Sequence, residues 1–545
     1  MQLFLSFIVA LSITAALIPL LARWAPALKL TDAPGPRKVH AAPVPRVGGI
    51  AMTLGMLAPI LISLELTPAL RGFLAGLAVL FVFGVWDDRA NLDYRLKFLG
   101  QIAAVALCVL VGDVHIDSLT LGSRYELPHG LSTVLTFIFL IGVTNAVNLS
   151  DGLDGLAGGA ALLCLCAIAL LAAGNNPAIT LLALTEAGAI LGFLRFNTHP
   201  ARVFMGDAGS QILGYSIGVL AILATQGEHS NVSAALPLLL IGLPILDTAA
   251  VMLTRIKAGR SPFSSDRNHL HHRLLGLGFM HGEAVMLIYL LQGTLFLAAY
   301  FLRFESDGVI LAAFAIFAAV VLAPLRWAAR RGWQAHDAGS VNAGVRLLGL
   351  IRRCVPAMRV DAWTCGIMAV GLLLYAATII VSSGHVGWDV IVLCVALFAL
   401  LALLTGTPAA HSSSLFERAT AYVSVTLLVY LDQTSNGMRL ALIHDVSWFL
   451  LAIMAAAALA RFAFSPTRRF EVSPLDLLVL FLALVVPNLP GPVRLPEALS
   501  AGIAKAVILL YVVEMLLSLD FKRPVPRTCL VLTLGAIAMR GFLTA

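Results

Sequence analysis

Long apolar runs alternate with short polar islands along almost the whole chain. A helix needs about 20 mostly apolar residues to cross the hydrocarbon core of a bilayer. Runs of that kind lie at about 3–22, 47–64, 68–86, 97–112, 131–147, 155–173, 177–194, 209–225, 233–253, 284–302 and 308–325. A second group follows at about 363–382, 387–406, 419–433, 446–464, 474–488, 497–517 and 526–543. The pattern predicts an all-α polytopic membrane protein, with an eleven-span helical bundle followed by about seven additional C-terminal spans.

Charge adds sidedness to this pattern. One alternate set of loops in the first part is 23–46, 87–97, 145–154, 195–208, 254–283 and 326–362, and it holds 22 Lys and Arg residues against 2 in the opposite set. Basic loops stay in the cytoplasm, so the first set is predicted to be cytoplasmic. No Lys or Arg precedes the run at 3–22 and Arg23 follows it. That order is the reverse of a secretory signal and predicts a retained first span with its N-terminus outside. The basic stretch 326–362 then reads as a cytoplasmic linker between a membrane domain at 1–325 and an additional membrane domain at 363–545 that carries no recognisable motif.

Composition narrows the function classes. Of the 545 residues 60% are hydrophobic and 12% charged, whereas soluble domains carry about 25% charged residues. An ordinary soluble enzyme, a disordered protein and a secreted disulfide scaffold are excluded. The net charge of +7 follows from the basic loops and implies no nucleic-acid partner. Six of the seven cysteines lie inside apolar runs, where they read as small packing residues, and no spacing suggests a zinc site or a disulfide.

Five polar islands fall on the predicted cytoplasmic side: 32–49, 87–101, 145–159, 202–214 and 264–275. Charge at a membrane edge is costly to bury and marks functional candidates. Asp87 and Asp88 end one span. Asp151 and Asp154 are three apart and would share a face on a helical turn. Asp207 sits in Met-Gly-Asp-Ala-Gly-Ser, where glycine permits close approach of a ligand to the backbone. A lone Asp at a loop end is ordinarily a helix cap. Five converging acids repel one another unless a hard cation joins them, and Mg²⁺ characteristically uses one or two carboxylates plus substrate phosphates. Asn145, Asn148 and Asp151 would form one helical stripe, able to bind a base or a sugar or to place an amide oxygen on the metal. Lys97 and Gln101 would share a face at the start of a span, although Lys97 could also simply snorkel. His269, His271 and His272 lie beside Arg267 and Arg273. A cationic loop of this kind suits a diphosphate, and neither a Cys nor an HExxH pattern supports zinc there.

Three motifs occur together and in order: Asp-Asp with a downstream Lys-Phe-x-x-Gln, then Asn-x-x-Asn-x-x-Asp-Gly-x-Asp-Gly-Leu-Ala-Gly-Gly, then Gly-Asp-x-Gly-Ser. In this they resemble the polyprenyl-phosphate N-acetylhexosamine-1-phosphate transferases (glycosyltransferase family 4), over about residues 1–325. The His-Leu-His-His element at 269–272 is similar to the His-x-His-His of the N-acetylhexosamine branch and unlike the Pro-x-His-His-His of the peptidoglycan enzyme. The resemblance implies transfer of a sugar-1-phosphate from a UDP-N-acetylhexosamine, with UDP-N-acetylglucosamine favoured, to undecaprenyl or another polyprenyl phosphate, releasing UMP. Such a reaction starts a cell-envelope polysaccharide such as O-antigen. It further implies a bacterial inner-membrane protein with its active site on the cytoplasmic face. Mg²⁺, with Mn²⁺ as a substitute, would be held by Asp207 and Asn148. Asp87, Asp88, His269, His271 and His272 would be catalytic, and Lys97, Asn145, Asp151, Asp154 and Arg267 would bind substrate. A rival reading is a lipid-linked-sugar or proton-coupled transporter. Transporters, however, place their polar groups near the bilayer midplane, and here those groups cluster at span ends. No oligomeric state follows from the sequence.

Overall fold

The computed structural model describes residues 2–34, 42–121, 123–226, 232–261, 268–336, 357–382, most of 387–399, 410–434, 441–464, 473–485, 489, 497–517 and 525–544. The first part forms helices α1 (Gln2–Trp24), α2 (Gly48–Ser63), α3 (Pro68–Ala90), α4 (Tyr94–Leu110), α5 (His129–Leu149), α6 (Leu156–Ala172) and α7 (Pro177–Asn197). It continues with α8 (Gly206–Gln226), α9 (Pro237–Leu240), α10 (Gly242–Lys257), α11 (Leu270–Gly276), α12 (His281–Phe301) and α13 (Asp307–Arg331). Eight of the described helices are long and apolar enough to cross a membrane, and shorter apolar helices such as Gly48–Ser63 and Leu156–Ala172 lie among them. The chain is an all-α, multi-pass membrane protein.

The run expected to span 233–253 is broken. It forms α9 and α10, separated at Ile241, and continues to Lys257. Pro237 and Pro244 have no N–H to continue an unbroken ladder. A carbonyl freed inside an apolar bundle needs a new partner. Gln292 Nε2 donates to the Leu240 carbonyl at 2.9 Å, and Cys164 Sγ approaches the same oxygen at 3.0 Å.

Two short antiparallel hairpins complete the first part. Strands β1 (Thr31–Asp32) and β2 (Val44–Pro45) pair Thr31 with Pro45. Strands β3 (Ser118–Leu121) and β4 (Ser123–Glu126) pair Ser118 with Glu126. The second hairpin is anchored by Gln226 at the end of α8, whose Oε1 accepts from the backbone N–H groups of Asp117 and Ser118.

Helix α8 is the centre of this unit. It packs against α2, α3, α5 and α6, and nearly all its apolar stretch is buried. Helices without a hydrophobic drive between them associate through small residues that let backbones meet. At Gly84 a β-carbon would lie 2.4 Å from the Ala208 Cα, and at Gly49 one would lie 2.3 Å from the Gly209 nitrogen. Both contacts fall at the N-terminal turn of α8, so they hold that turn against α3 and α2. Helix α13, by contrast, buries only 11% of its apolar stretch, as suits a helix facing hydrocarbon.

The chain separates into two compact units: Met1–Asp337 with Ser473–Leu478, and the remainder. In the second unit the described helices include Ala357–Ser382, Ala410–Thr434, Ala441–Phe464, Glu497–Leu517 and Val525–Thr544. Its interior holds an ion pair between Lys505 and Asp432 at 2.6 Å, with side chains 2% and 1% exposed. The Lys505 ammonium also lies 5.0 Å from the Trp448 ring centroid. A buried charge is tolerated only with such partners.

Candidate active site

The polar groups of the first unit gather at one end of its helices. Asp87 and Asp88 end α3 and are 2% and 6% exposed. Asp88 is turned towards α8, where its two oxygens accept the N–H groups of Asp207 at 2.8 Å and Ala208 at 3.1 Å. The first N–H groups of a helix have no partner within it and favour negative charge. Asp88 therefore caps α8 from a neighbouring helix. Gly206 makes this contact possible: its φ is +75° and a β-carbon there would lie 2.4 Å from Asp88 Oδ2. The approach to the same turn is fixed by Phe204 N–H on the Pro45 carbonyl at 2.8 Å and Gly49 N–H on the Met205 carbonyl at 2.8 Å.

Asp87 faces the other way. Its Oδ1 accepts the Leu92 N–H at 2.7 Å, and its Oδ2 forms an ion pair with Lys97 Nζ. The chain turns between α3 and α4 through Asn91, whose φ is +48°, and this short turn brings Lys97 back over Asp87. Lys97 Nζ also lies 3.7 Å from Asp207 Oδ2. One ammonium thus stands between two carboxylates carried by different helices. The Asp207 side chain is 29% exposed and that of Asp87 only 2%, so Asp207 is the carboxylate of the pair open to a ligand.

Helix α5 supplies the amides. Asn145 Nδ2 donates to Gln101 Oε1 at 2.7 Å, and Gln101 Nε2 donates to Gln211 Oε1 at 3.1 Å. This amide chain ties α4, α5 and α8 together. Asn148 Nδ2 donates to Asp207 Oδ1 and to Ser210 Oγ, both at 2.8 Å. The amide nitrogen of Asn148, rather than its oxygen, faces Asp207.

The acidic loop differs from the sequence expectation. Asp151 does not continue a helical stripe from Asn145 and Asn148, because α5 ends at Leu149. Nor do Asp151 and Asp154 share a helical turn. Residues 151–155 are irregular, Gly155 has φ +81°, and α6 begins only at Leu156. A glycine of this loop admits a side chain of the protein: a β-carbon on Gly152 would lie 2.2 Å from His271 Nε2. His271 thereby packs the histidine loop onto the acidic loop. Asp151 lies in the field of Asp207 and Asp154, with Arg46 opposing them. Asp154 Oδ2 accepts the Ala201 N–H at 3.0 Å and lies 2.7 Å from His199 Nδ1.

The histidine loop is positioned by a residue that the motifs did not include. Asp247, in α10, accepts the Leu270 N–H at 2.7 Å through Oδ1, and its Oδ2 lies 2.9 Å from His269 Nδ1. The signal for Asp247 was a lone carboxylate inside an apolar run, which by itself marks an intramembrane functional candidate. The rings of His271 and His272 are 4.2 Å apart. Burial, reinforced by the neighbouring His272 and His269, pushes the His271 pKa down to about 4 against the pull of Asp247. The expected cationic loop therefore does not extend to His271, which is neutral near pH 7. Arg267 lies outside the described residues. Arg46, His199 and His281 also reach this end of the bundle, and no spacing in the sequence singled them out.

With this geometry in view, comparison with known proteins gives one consistent answer. Residues 70–225 match the model of the family described as glycosyl transferase family 4. A probable undecaprenyl-phosphate N-acetylglucosaminyl 1-phosphate transferase of Bacillus subtilis is 36% identical over 322 residues, 58% of this chain and 88% of the relative. A decaprenyl-phosphate N-acetylglucosaminephosphotransferase of Mycobacterium leprae is 35% identical over 330 residues, 54% of this chain and 82% of the relative. An undecaprenyl-phosphate alpha-N-acetylglucosaminyl 1-phosphate transferase of Escherichia coli K12 is 30% identical over 295 residues, 52% of this chain and 80% of the relative. The chain spans most of each relative's length, and it belongs to glycosyl transferase family 4, the polyprenyl-phosphate N-acetylhexosamine-1-phosphate transferase superfamily.

Proposed function

We propose that this protein transfers N-acetylglucosamine-1-phosphate from UDP-N-acetylglucosamine to undecaprenyl phosphate, releasing UMP, at the cytoplasmic face of a bacterial inner membrane. Transfer of a sugar-1-phosphate to a polyprenyl phosphate is the activity named for the relatives in Bacillus, Mycobacterium and Escherichia. The observation that carries the reading is the Asp87–Lys97–Asp207 alignment at the helix ends. One substrate has an apolar tail that stays in the bilayer and the other is a cytosolic anion. Charged groups at the membrane edge of a bundle can meet both.

In this reaction an oxygen of the lipid phosphate bonds to the β-phosphorus of the nucleotide sugar. The bond from that phosphorus to the bridging oxygen breaks, and UMP leaves with its electron pair. The protein's task is alignment and charge neutralisation. Asp87 is held by the Leu92 N–H and by Lys97, a fixed position from which it orients the lipid phosphate or takes its proton. Lys97 offsets the charge of both carboxylates and presents a cation to the incoming phosphates. Asp88 serves the reaction indirectly by holding the first turn of α8 and thus Asp207. The His269–His272 segment would hold the sugar-phosphate, with His269 kept in one orientation by Asp247 and neutral His271 fixing the segment against Gly152. Asp151, Asp154, Asn145 and Arg267 complete the proposed substrate-binding set.

Mg²⁺, with Mn²⁺ as a substitute, fits the donor set. Asp207 offers a partly exposed carboxylate, and Mg²⁺ commonly takes one or two carboxylates plus substrate oxygens. Asn148 would join it only after its amide turns over, since its nitrogen now faces Asp207. When bound, the ion would neutralise the diphosphate and favour departure of UMP.

Purified protein supplied with undecaprenyl phosphate, Mg²⁺ and a panel of UDP-sugars tests the reading. UMP release with UDP-N-acetylglucosamine is expected, and Asp207→Asn should lower it by about two orders of magnitude or more while the protein still folds. No UMP from any sugar nucleotide would refute the activity. Wild-type turnover by Asp207→Asn at limiting Mg²⁺ would refute the metal assignment alone.

A further inference from the structure

A second cluster lies beside the acidic loop, built from three elements. Asp154 belongs to the irregular segment before α6, His199 follows α7, and His281 begins α12. Each offers one ligand atom, and these atoms all lie within 4.8 Å of one another. The Asp154 carboxylate is anchored by the Ala201 N–H at 3.0 Å. His199 Nδ1 stands 2.7 Å from Asp154 Oδ2. The His199 and His281 rings stack with centroids 4.1 Å apart and planes inclined by 25°. The His281 ring interacts with the Asp154 backbone, and its buried Nε2 makes no ordinary hydrogen bond.

We propose that Asp154, His199 and His281 form a metal site for a borderline transition ion of the Zn²⁺ type, separate from the Asp207 position. An Asp154–His199 ion pair alone would leave two features unexplained. It gives no account of the second imidazole stacked on His199, nor of the buried Nε2 of His281, which still lacks a hydrogen-bond partner. A metal ion uses both imidazoles in their neutral form, where each ring has a lone pair to give. Two imidazoles and a carboxylate are nitrogen and oxygen donors suited to zinc, and three protein ligands leave a fourth position open to water or to a ligand atom. Metal–ligand distances of 2.0–2.1 Å place tetrahedral ligand atoms about 3.3 Å apart. Reaching that spacing separates His199 from Asp154 by about half an ångström and draws in, by at most about 1.5 Å, any pair that lies as far apart as the 4.8 Å limit. The His199 side chain is 44% exposed and is free to make such a shift. The hydrogen bond from Ala201 holds the carboxylate in place from behind, as supporting partners do in metal sites. Mg²⁺ prefers oxygen ligands, so the donor set itself separates this site from the one proposed at Asp207.

The test uses full-length protein in detergent, stripped with EDTA and titrated with Co²⁺, whose visible bands report nitrogen and oxygen coordination and are bleached by Zn²⁺. One tight equivalent is expected in the wild type and in Asp207→Asn and His271→Gln. It should be lost in the His199→Gln, His281→Gln double variant. His199→Gln alone, altering a half-exposed ring, should keep the fold and weaken Co²⁺ at least tenfold. The proposal is overturned if the wild type takes up no tight equivalent, if both His199 variants bind as the wild type does, or if Asp207→Asn abolishes the signal. Because the readout is metal uptake, it stands apart from failure of the transferase reading.

Discussion

His271 shows how much a single residue's surroundings can change its chemistry. In an exposed loop three nearby histidines would share charge near neutrality. Here His271 is driven into contact with Gly152 and its pKa falls from 6.5 to about 4. The unfolded chain therefore binds a proton between pH 6.5 and 4 that the folded chain refuses, so stability falls as pH drops through that window. The contribution is on the order of 3 kcal/mol at its limit. His271→Gln removes the titration, and its melting temperature in detergent should decline less than that of the wild type from pH 6.5 to 4. Parallel curves for the two proteins would show that His271 is not held neutral. The motif spacing identified this histidine, but its protonation state follows from burial, and part of what buries it is Gly152, more than 100 positions away in the chain.

Among the elements, α8 decides where the proposed chemistry sits. Its first turn is capped by Asp88 from α3 and pressed against Gly84 and Gly49. Gly84→Val would place carbon atoms on top of the Ala208 backbone and push α3 from α8 by about an ångström. A misplacement of that size can cost about 10²-fold in rate. Valine is more apolar than glycine, so membrane insertion should be unaffected. UMP release per folded molecule is the measurement, and near-wild-type turnover would show that the α3–α8 spacing does not set the Asp207 position. The helices themselves were legible as apolar runs. The run at 68–86 appears as Pro68–Ala90 and that at 177–194 as Pro177–Asn197. Periodicity failed at 150–155 and at 241, where glycine, proline and partners distant in sequence determine the backbone.

At the scale of the whole molecule, the first unit contains every motif, and the matched family region 70–225 lies inside it. We propose that catalysis belongs to this unit and that 363–545 is an additional membrane domain; the linker expected at 326–362 is shorter at both ends, because α13 runs to Arg331 and the next described helix begins at Ala357. A chain ending after Arg331 should retain turnover per folded molecule within a few-fold of the full protein. Its yield should be lower, because Ser473–Leu478 group with the first unit and would be lost. A monodisperse truncated protein that binds UDP-sugar but releases no UMP would place the C-terminal helices within the catalytic machinery.

Although the single span expected at 233–253 was not formed, the order and approximate length of most described helices of the first unit, the family and the acidic and histidine motifs were present in the linear pattern. They depend on local properties: apolar length sufficient to span a bilayer, and residue types at short spacing. Tertiary structure decided how the similar-looking acids divide their work. Asp87 pairs with Lys97, Asp88 caps α8, Asp154 meets His199, and Asp247 joins His269 from within an apolar helix. Each of these partnerships joins residues brought together by the path of the backbone. A carboxylate's role is set by the donor or cation that the fold brings within about 3 Å of it, and that distance is not encoded in the residue's immediate neighbours.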